Sequence, residues 1–202
     1  LIMLAWEQLH DAPIKVFFKP VAISPTEFVI FSDRMSGSVH KYDITTNTWS
    51  QWLSYPNDWE KSLNAFSCIT LNPSNLTIYA LSRSGCLLTY SQPDKQCRIH
   101  DLRLQVGSEA SCIYLHDQLH IIGGDSSNKH YIYDAKERKL STMHTFEEYV
   151  NGFSSHKLVH LPRKQCFMLL GGYDDGRSGG QDTVYRFDLI SKQWEKCLMT
   201  LP

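Results

Sequence analysis

Histidine is the residue type that most invites chemistry in this chain, which carries nine of them. His116 and His120 are four apart, as are His156 and His160. On a helix that spacing sets two imidazoles on one face, the beginning of a zinc site. On strands, or across a turn such as Asp117-Gln118, it makes no compact pair. No cysteine pair or carboxylate completes a ligand set at metal spacing, and Cys97 with His100 fails the same test. The expectation is structural and surface histidines, and no metal.

The stretch Gly171-Gly172-Tyr173-Asp174-Asp175-Gly176-Arg177-Ser178-Gly179-Gly180 is glycine-rich. A phosphate-cradling loop needs a helix N-terminus after it, and here a strand-like run follows. Glycine and tyrosine hold the alternate positions that a calcium loop would fill with acids. No G-x-S-x-G elbow activates a serine, and Ser84, Ser111, Ser126 and Ser154 have no recognisable base. Asp174-Asp175 and Glu147-Glu148 are adjacent acids of the kind that loops leave solvated; a glycosidase pair would have to converge from separate elements. No catalytic residue and no cofactor is expected.

The elements that would position any such group recur. Four times an apolar run ends at a turn, and a second run closes on an aromatic residue, with a large apolar residue seven positions on. The pairs are Tyr42 with Trp49, Tyr90 with Cys97, Tyr133 with Leu140, and Phe187 with Trp194. The second members follow one another at intervals of 48, 43 and 54 residues. That period is too long for ankyrin or leucine-rich repeats and fits a four-stranded propeller blade. The last copy divides into runs at 153–159, 165–170, 183–187 and 194–199, separated by turn residues. Short runs with such punctuation read as antiparallel strands, and no stretch sustains a capped helical period. First strands are expected to start near Val16, Ala65, Ala110 and Phe153 and to lie innermost.

Two copies carry the fullest signature: LHIIGG (119–124) before YIYDAKERKL (131–140), and CFMLLGG (166–172) before VYRFDLISKQW (184–194). Diglycine after an apolar strand, an aromatic-Asp pair and then Trp resembles the kelch motif. Ser32-Asp33 and Ser82-Arg83 stand in place of diglycine in the first two copies, and Cys97 and Leu140 in place of Trp. The resemblance implies an all-β kelch-type β-propeller with about four visible blades of four antiparallel strands, at 15–52, 63–101, 109–143 and 152–199. Trp49 and Trp194 are then expected to be buried between neighbouring sheets. Residues 1–14, with Trp6-Glu7-Gln8-Leu9, resemble the last strand of a preceding or closing blade. Kelch-like rings commonly have more blades than four, so the chain is expected to be part of a larger ring.

The formal net charge of −1 excludes a sequence-independent nucleic-acid binder, which needs a clustered positive field. No run approaches the ~20 apolar residues of a membrane-spanning helix. Six cysteines without local pairs read as a reducing, cytoplasmic setting, with Cys68, Cys112 and Cys166 as small core hydrophobes.

The function expected is a non-catalytic protein-interaction scaffold. Some relatives implied by the resemblance are enzymes with a site in the central funnel, such as copper oxidases and sugar epimerases, and this alternative rests on fold analogy. In a kelch-type blade the loops after the second and fourth strands emerge on one side. Here the former carry Arg34, Arg83, Lys129, His130, Tyr173, Asp174 and Arg177, and the latter Trp59, Tyr149 and Asn151. Arg, Tyr and Trp most often dominate binding energy. The partner expected is another protein, presenting an acidic or mixed-charge segment to these arginines.

Overall fold

The structure, a computed structural model, describes residues 20–31, 38–54, 66–72, 74–91, 93–125, 127–145, 153–174 and 180–200. Each sequence copy forms one antiparallel sheet of four strands. The chain divides into two compact units, Leu1–Ser62 and Leu63–Pro202. Among the described residues the one helical turn is a 3-10 turn at Pro162–Lys164.

The first unit holds β1 (Val21–Ser24), β2 (Glu27–Phe31), β3 (Ser38–Asp43) and β4 (Thr48–Ser54), hydrogen-bonded in that order. Alternation puts Phe28, Tyr42 and Trp49 on one face, since Phe28 faces Tyr42 and Tyr42 faces Trp49 across the strands. Their ring centroids lie 5.2 Å, 4.8 Å and 5.7 Å apart, an aromatic cluster that holds the sheet together. The expected strand start at Val16 and the terminal strand at 1–14 fall outside the described residues, as does the start at Ala65.

The second unit holds three sheets. One comprises β5 (Phe66–Asn72), β6 (Thr77–Ser82), β7 (Cys86–Ser91) and β8 (Gln96–Asp101). The next comprises β9 (Ser111–Leu115), β10 (Gln118–Ile122), β11 (Lys129–Asp134) and β12 (Lys139–Thr145). After the short β13 (Phe153–Ser154), the last comprises β14 (Lys157–Leu161), β15 (Cys166–Leu170), β17 (Thr183–Asp188) and β18 (Trp194–Thr200). The short β16 (Tyr173–Asp174) pairs with β13. First strands of successive sheets lie side by side, β5 against β9 and β9 against β14. Buried hydroxyls tie them: Ala110 N donates to Ser67 Oγ at 3.1 Å, and Ser111 Oγ donates to the His156 carbonyl at 2.6 Å. Between the sheets run two cores. One gathers Leu81, Leu87, Leu119, Ile121 and Tyr133; the other gathers Phe153, Phe167, Leu169 and Phe187.

The run at 153–159 is not one strand, as the sequence suggests. Ser155 takes φ 58° and breaks it, so Phe153–Ser154 pairs with Tyr173–Asp174 while the ladder with β15 begins at Lys157. Nor are Trp49 and Trp194 enclosed. Both are half-buried, because they stand on the outer strand of their sheets.

All four closing pairs face each other directly: Tyr42 and Trp49, Tyr90 and Cys97, Tyr133 and Leu140, Phe187 and Trp194. The hairpins between them share one construction. An aspartate ends the third strand and its carboxylate accepts backbone N–H groups of the turn. Asp43 takes Thr45 at 2.8 Å, Asp134 takes Glu137 at 2.8 Å, and Asp188 takes Ile190 and Ser191, both at 2.9 Å. Two residues before the closing position the chain turns left-handed, at Asn47, Lys95, Arg138 and Lys192 (φ 54°, 51°, 54° and 58°). The second sheet has Ser91 in place of aspartate, and its Oγ donates to Asp94 at 2.7 Å.

The diglycines repeat each other in geometry, Gly123-Gly124 at φ 66° and 114° and Gly171-Gly172 at 60° and 114°. Positive φ is half of the requirement. A side chain on Gly124 would place its Cβ 1.8 Å from the Val106 carbonyl oxygen. Its backbone instead pairs with the strand entering the next sheet: Gly124 N donates to the Phe153 carbonyl at 2.7 Å, and Phe153 N donates back at 3.1 Å. In the second sheet, which has Ser82-Arg83, Gly85 does this work. It has φ 85°, its missing Cβ would lie 2.2 Å from the Leu104 oxygen, and its carbonyl accepts from Leu102 N at 3.1 Å.

Candidate functional site

Of the residues predicted to face a partner, Arg34, Trp59, Tyr149, Asn151 and Arg177 lie outside the described residues. Asp174 lies in β16, opposite Phe153. Three are described and exposed. Arg83 sits in the turn between β6 and β7, Lys129 opens β11, and Tyr173 follows the second diglycine with 53% of its surface exposed. Arg83 lies in the connection between the second and third strands of its sheet, Lys129 begins the third strand of its own, and Tyr173 lies in β16, between the second and third strands of the last. Neither Arg83 nor Lys129 is ion-paired among the described residues.

His130 is a correction. It is completely buried. Lys129 and His130 are not loop residues but the first two of β11, so strand alternation sends Lys129 outward and His130 into the core. There it joins His120 and Trp194. The Trp194 indole Nε1–H donates to His130 Nδ1 at 3.2 Å, and His130 Nε2 lies 3.0 Å from His120 Nδ1. An indole nitrogen only donates, so His130 Nδ1 accepts and its proton sits on Nε2, aimed at His120. Phe167 and Phe187 close round both rings at 4.8–6.0 Å. Burial pushes His120 down to about 3, with Lys192 and His116 adding to it. Burial, followed by His120 and Lys192, holds His130 well below its ordinary value. Two imidazoles kept neutral in an enclosed apolar nest lock the third sheet to the fourth, and they hold no water-exposed position from which to act on a substrate.

The remaining candidates resolve individually. His116 occupies a left-handed turn (φ 49°), and His156 is buried and stacked on Phe153 at 4.5 Å. Ser111 spends its hydroxyl on a carbonyl of the next sheet. Among the described residues no three His, Cys, Asp or Glu side chains gather as a metal site. Among the described residues no helix is long and apolar enough to cross a membrane.

The second sheet meets the third at a cleft of about 220 Å³, which no local sequence pattern announces. It arises from register. Leu81, Leu87 and His100 form one row across β6, β7 and β8; Tyr79, Thr89 and Arg98 form the next; Thr77, Ser91 and Gln96 the last. One face thus grades from apolar to polar. The apolar end packs into the core, while the polar end stands open opposite Tyr133, Ala135 and Arg138 of the third sheet. Tyr79 is fixed by stacking on Tyr114 at 4.9 Å, and Tyr114 donates to Asp117 Oδ1 at 3.2 Å.

No protein-family model matches the sequence, and no curated protein is similar to it. Solved structures do match. The one described as "Structure of YjhT" superposes with a TM-score of 0.69 over 94% of this chain and 67% of that chain. The fold is propeller-like. At 12% identity the likeness speaks for the architecture alone.

Proposed function

We propose that the chain is a non-catalytic protein-interaction module of kelch type, which grips a segment of another protein through inter-strand loops on one side. The kelch assignment rests on the diglycines at 123–124 and 171–172, the aromatic-Asp pairs, and Trp49 and Trp194. The observation that supports the binding role is the exposure of Arg83, Lys129 and Tyr173 at or beside the passage from second to third strand in three sheets. Two cations without an ion-pair partner among the described residues and an exposed aromatic suit an acidic or mixed-charge segment: the cations meet carboxylates and the phenol supplies rigid contact area. Three of the described histidines, His120, His130 and His156, are buried in the core. Six free thiols support a cytoplasmic setting.

The test is affinity capture from cognate lysate with the wild type and an Arg83→Ala, Lys129→Ala, Tyr173→Ala triple variant. The variant is expected to melt like the wild type and to lose the partners that the wild type retains at low salt. Equal recovery of the same partners by a normally folded variant would remove these residues from the interface.

A further inference from the structure

The two seams of the second unit differ at one position, and the difference points to a ligand. Where the third and fourth sheets meet, the Trp194 indole fills the seam against His130, Phe167 and Phe187, at centroid distances of 5.6, 5.4 and 5.0 Å. At the equivalent place in the third sheet stands Leu140, a smaller side chain without a donor, partly buried against the core shared with the second sheet. The seam that lacks the indole is the one that holds the open cleft.

The charge in that cleft is arranged. Arg98 comes from β8 and Arg138 from the left-handed position of the β11–β12 hairpin, two elements of different sheets. Both guanidinium groups lie near enough to His100 to disfavour its protonation, after burial, which is the larger cause. Arg138 also lies near the Tyr133 hydroxyl, where it partly offsets the effect of burial. Neither arginine has a carboxylate partner among the described residues; Arg98 donates only to Gln96 Oε1, at 3.1 Å. One acid faces the cleft, Asp94, and it is engaged by the Ser91 hydroxyl at 2.7 Å. Two like charges that line one cleft, with no carboxylate partner among the described residues, leave a positive field that an anion would occupy favourably.

We propose that this cleft binds the phosphate group of a phosphate monoester, between the guanidinium groups of Arg98 and Arg138. Two planar forks match a dianion in charge and in bidentate geometry. The Thr89 and Tyr133 hydroxyls stand on the walls to donate to the remaining oxygens. The volume fits one small charged group: it lies below the roughly 300–1,000 Å³ typical of sites that enclose whole drug-sized ligands. The rest of the ligand therefore extends into solvent. None of Arg83, Lys129 and Tyr173 lines this cleft, and the site stands or falls independently of them.

The probes are inorganic phosphate, capped phosphoserine (N-acetyl, N-methylamide) and capped serine, titrated into the full chain at low ionic strength and followed by the His100 ring signals and by calorimetry. The phosphate probes are expected to bind and capped serine not to. Bound phosphate should move the His100 titration to higher pH, since a dianion favours the imidazolium. Arg98→Gln and Arg138→Gln should each weaken binding about tenfold or more, and Arg98→Lys, which keeps charge but loses the fork, by less. Arg163→Gln, in the exposed 3-10 turn, should change nothing. Both cleft arginines are exposed, so their substitution should leave the melting curve in place. Capped phosphoserine binding much more tightly than inorganic phosphate would identify a phosphorylated side chain as the source; equal affinity would identify a free small phosphate. Absence of any His100 response at millimolar phosphate, or unchanged affinity in both glutamine variants, would overturn the proposal.

Discussion

Acid should unfold this protein through two histidines well before it reaches the carboxylates. His120 is 1% exposed and His130 is wholly buried, and burial holds both neutral in the folded state. An unfolded chain leaves them near 6.5. The folded state therefore binds fewer protons below that value, and stability that is complete above pH 6.5 drains away as pH falls toward the folded value. For His120, held at about 3, the loss at pH 5 is about 2 kcal/mol, with a local slope of about 1.4 kcal/mol per pH unit. His130 is depressed in the same direction and adds to it. His40, His100 and His160 are also lowered by burial and contribute in the same sense. Asp43 and Asp188 are held below the usual carboxylate range, Asp43 first by the Thr45 hydroxyl and Asp188 first by the Ser191 backbone N–H. Their contribution fades only as pH falls below that range, so pH 5 isolates the histidines. The assay is urea unfolding at pH 7.5, 6 and 5, with the folded-state ring signals followed in parallel. His120→Phe should flatten the dependence by about one proton. Equal stability at pH 7.5 and 5, or a His120 or His130 ring titrating near 6.5 in the folded protein, would refute the reasoning.

Three further outcomes follow from the same geometry. Trp194→Phe keeps an aromatic ring but strands His130 Nδ1, and should cost about 1–3 kcal/mol in chemical denaturation; a change near zero would mean that the indole does not bond to His130. Gly124→Ala forces a Cβ into the Val106 carbonyl at φ 114° and should cost more than about 3 kcal/mol, whereas Gly180→Ala, with its nearest neighbour at 3.9 Å, should stay within about 0.5 kcal/mol. Similar melting of the two variants would contradict the close approach of the strands. Burial pushes the Cys97 thiol up to about 12, so alkylation at pH 8 should spare it until the protein is unfolded; rapid labelling of native Cys97 would refute this.

The repeat was legible because its signal is local. An aromatic, an aspartate, a turn and a fixed closing position all lie within one hairpin, and Tyr42 with Trp49 or Phe187 with Trp194 can be paired by counting. What crosses between sheets was not legible. Gly85 takes over from a missing diglycine through its closeness to Leu104, a residue nineteen positions on. Lys129 and His130 look like polar loop residues in sequence, yet strand alternation from Lys129 turns His130 inward, and its indole partner lies 64 residues away. A period-two count back from Ile132 reaches His130 and places it on the buried face of the strand. The cleft belongs to the same class: Arg98 and Arg138 are unremarkable in sequence, and only the packing of two sheets brings them to one imidazole.

The claim that a partner docks on the connections between second and third strands is tested most directly by site-specific photocrosslinking. A photoreactive phenylalanine analogue is placed at Arg83 or Tyr173, and for comparison at Ile44 or Ile190, exposed residues of the closing hairpins. Crosslinks to a common partner should form from positions 83 and 173, and diminish with salt as exposed charge contacts do. Crosslinks forming instead from 44 and 190, with none from 83 and 173, would contradict the account.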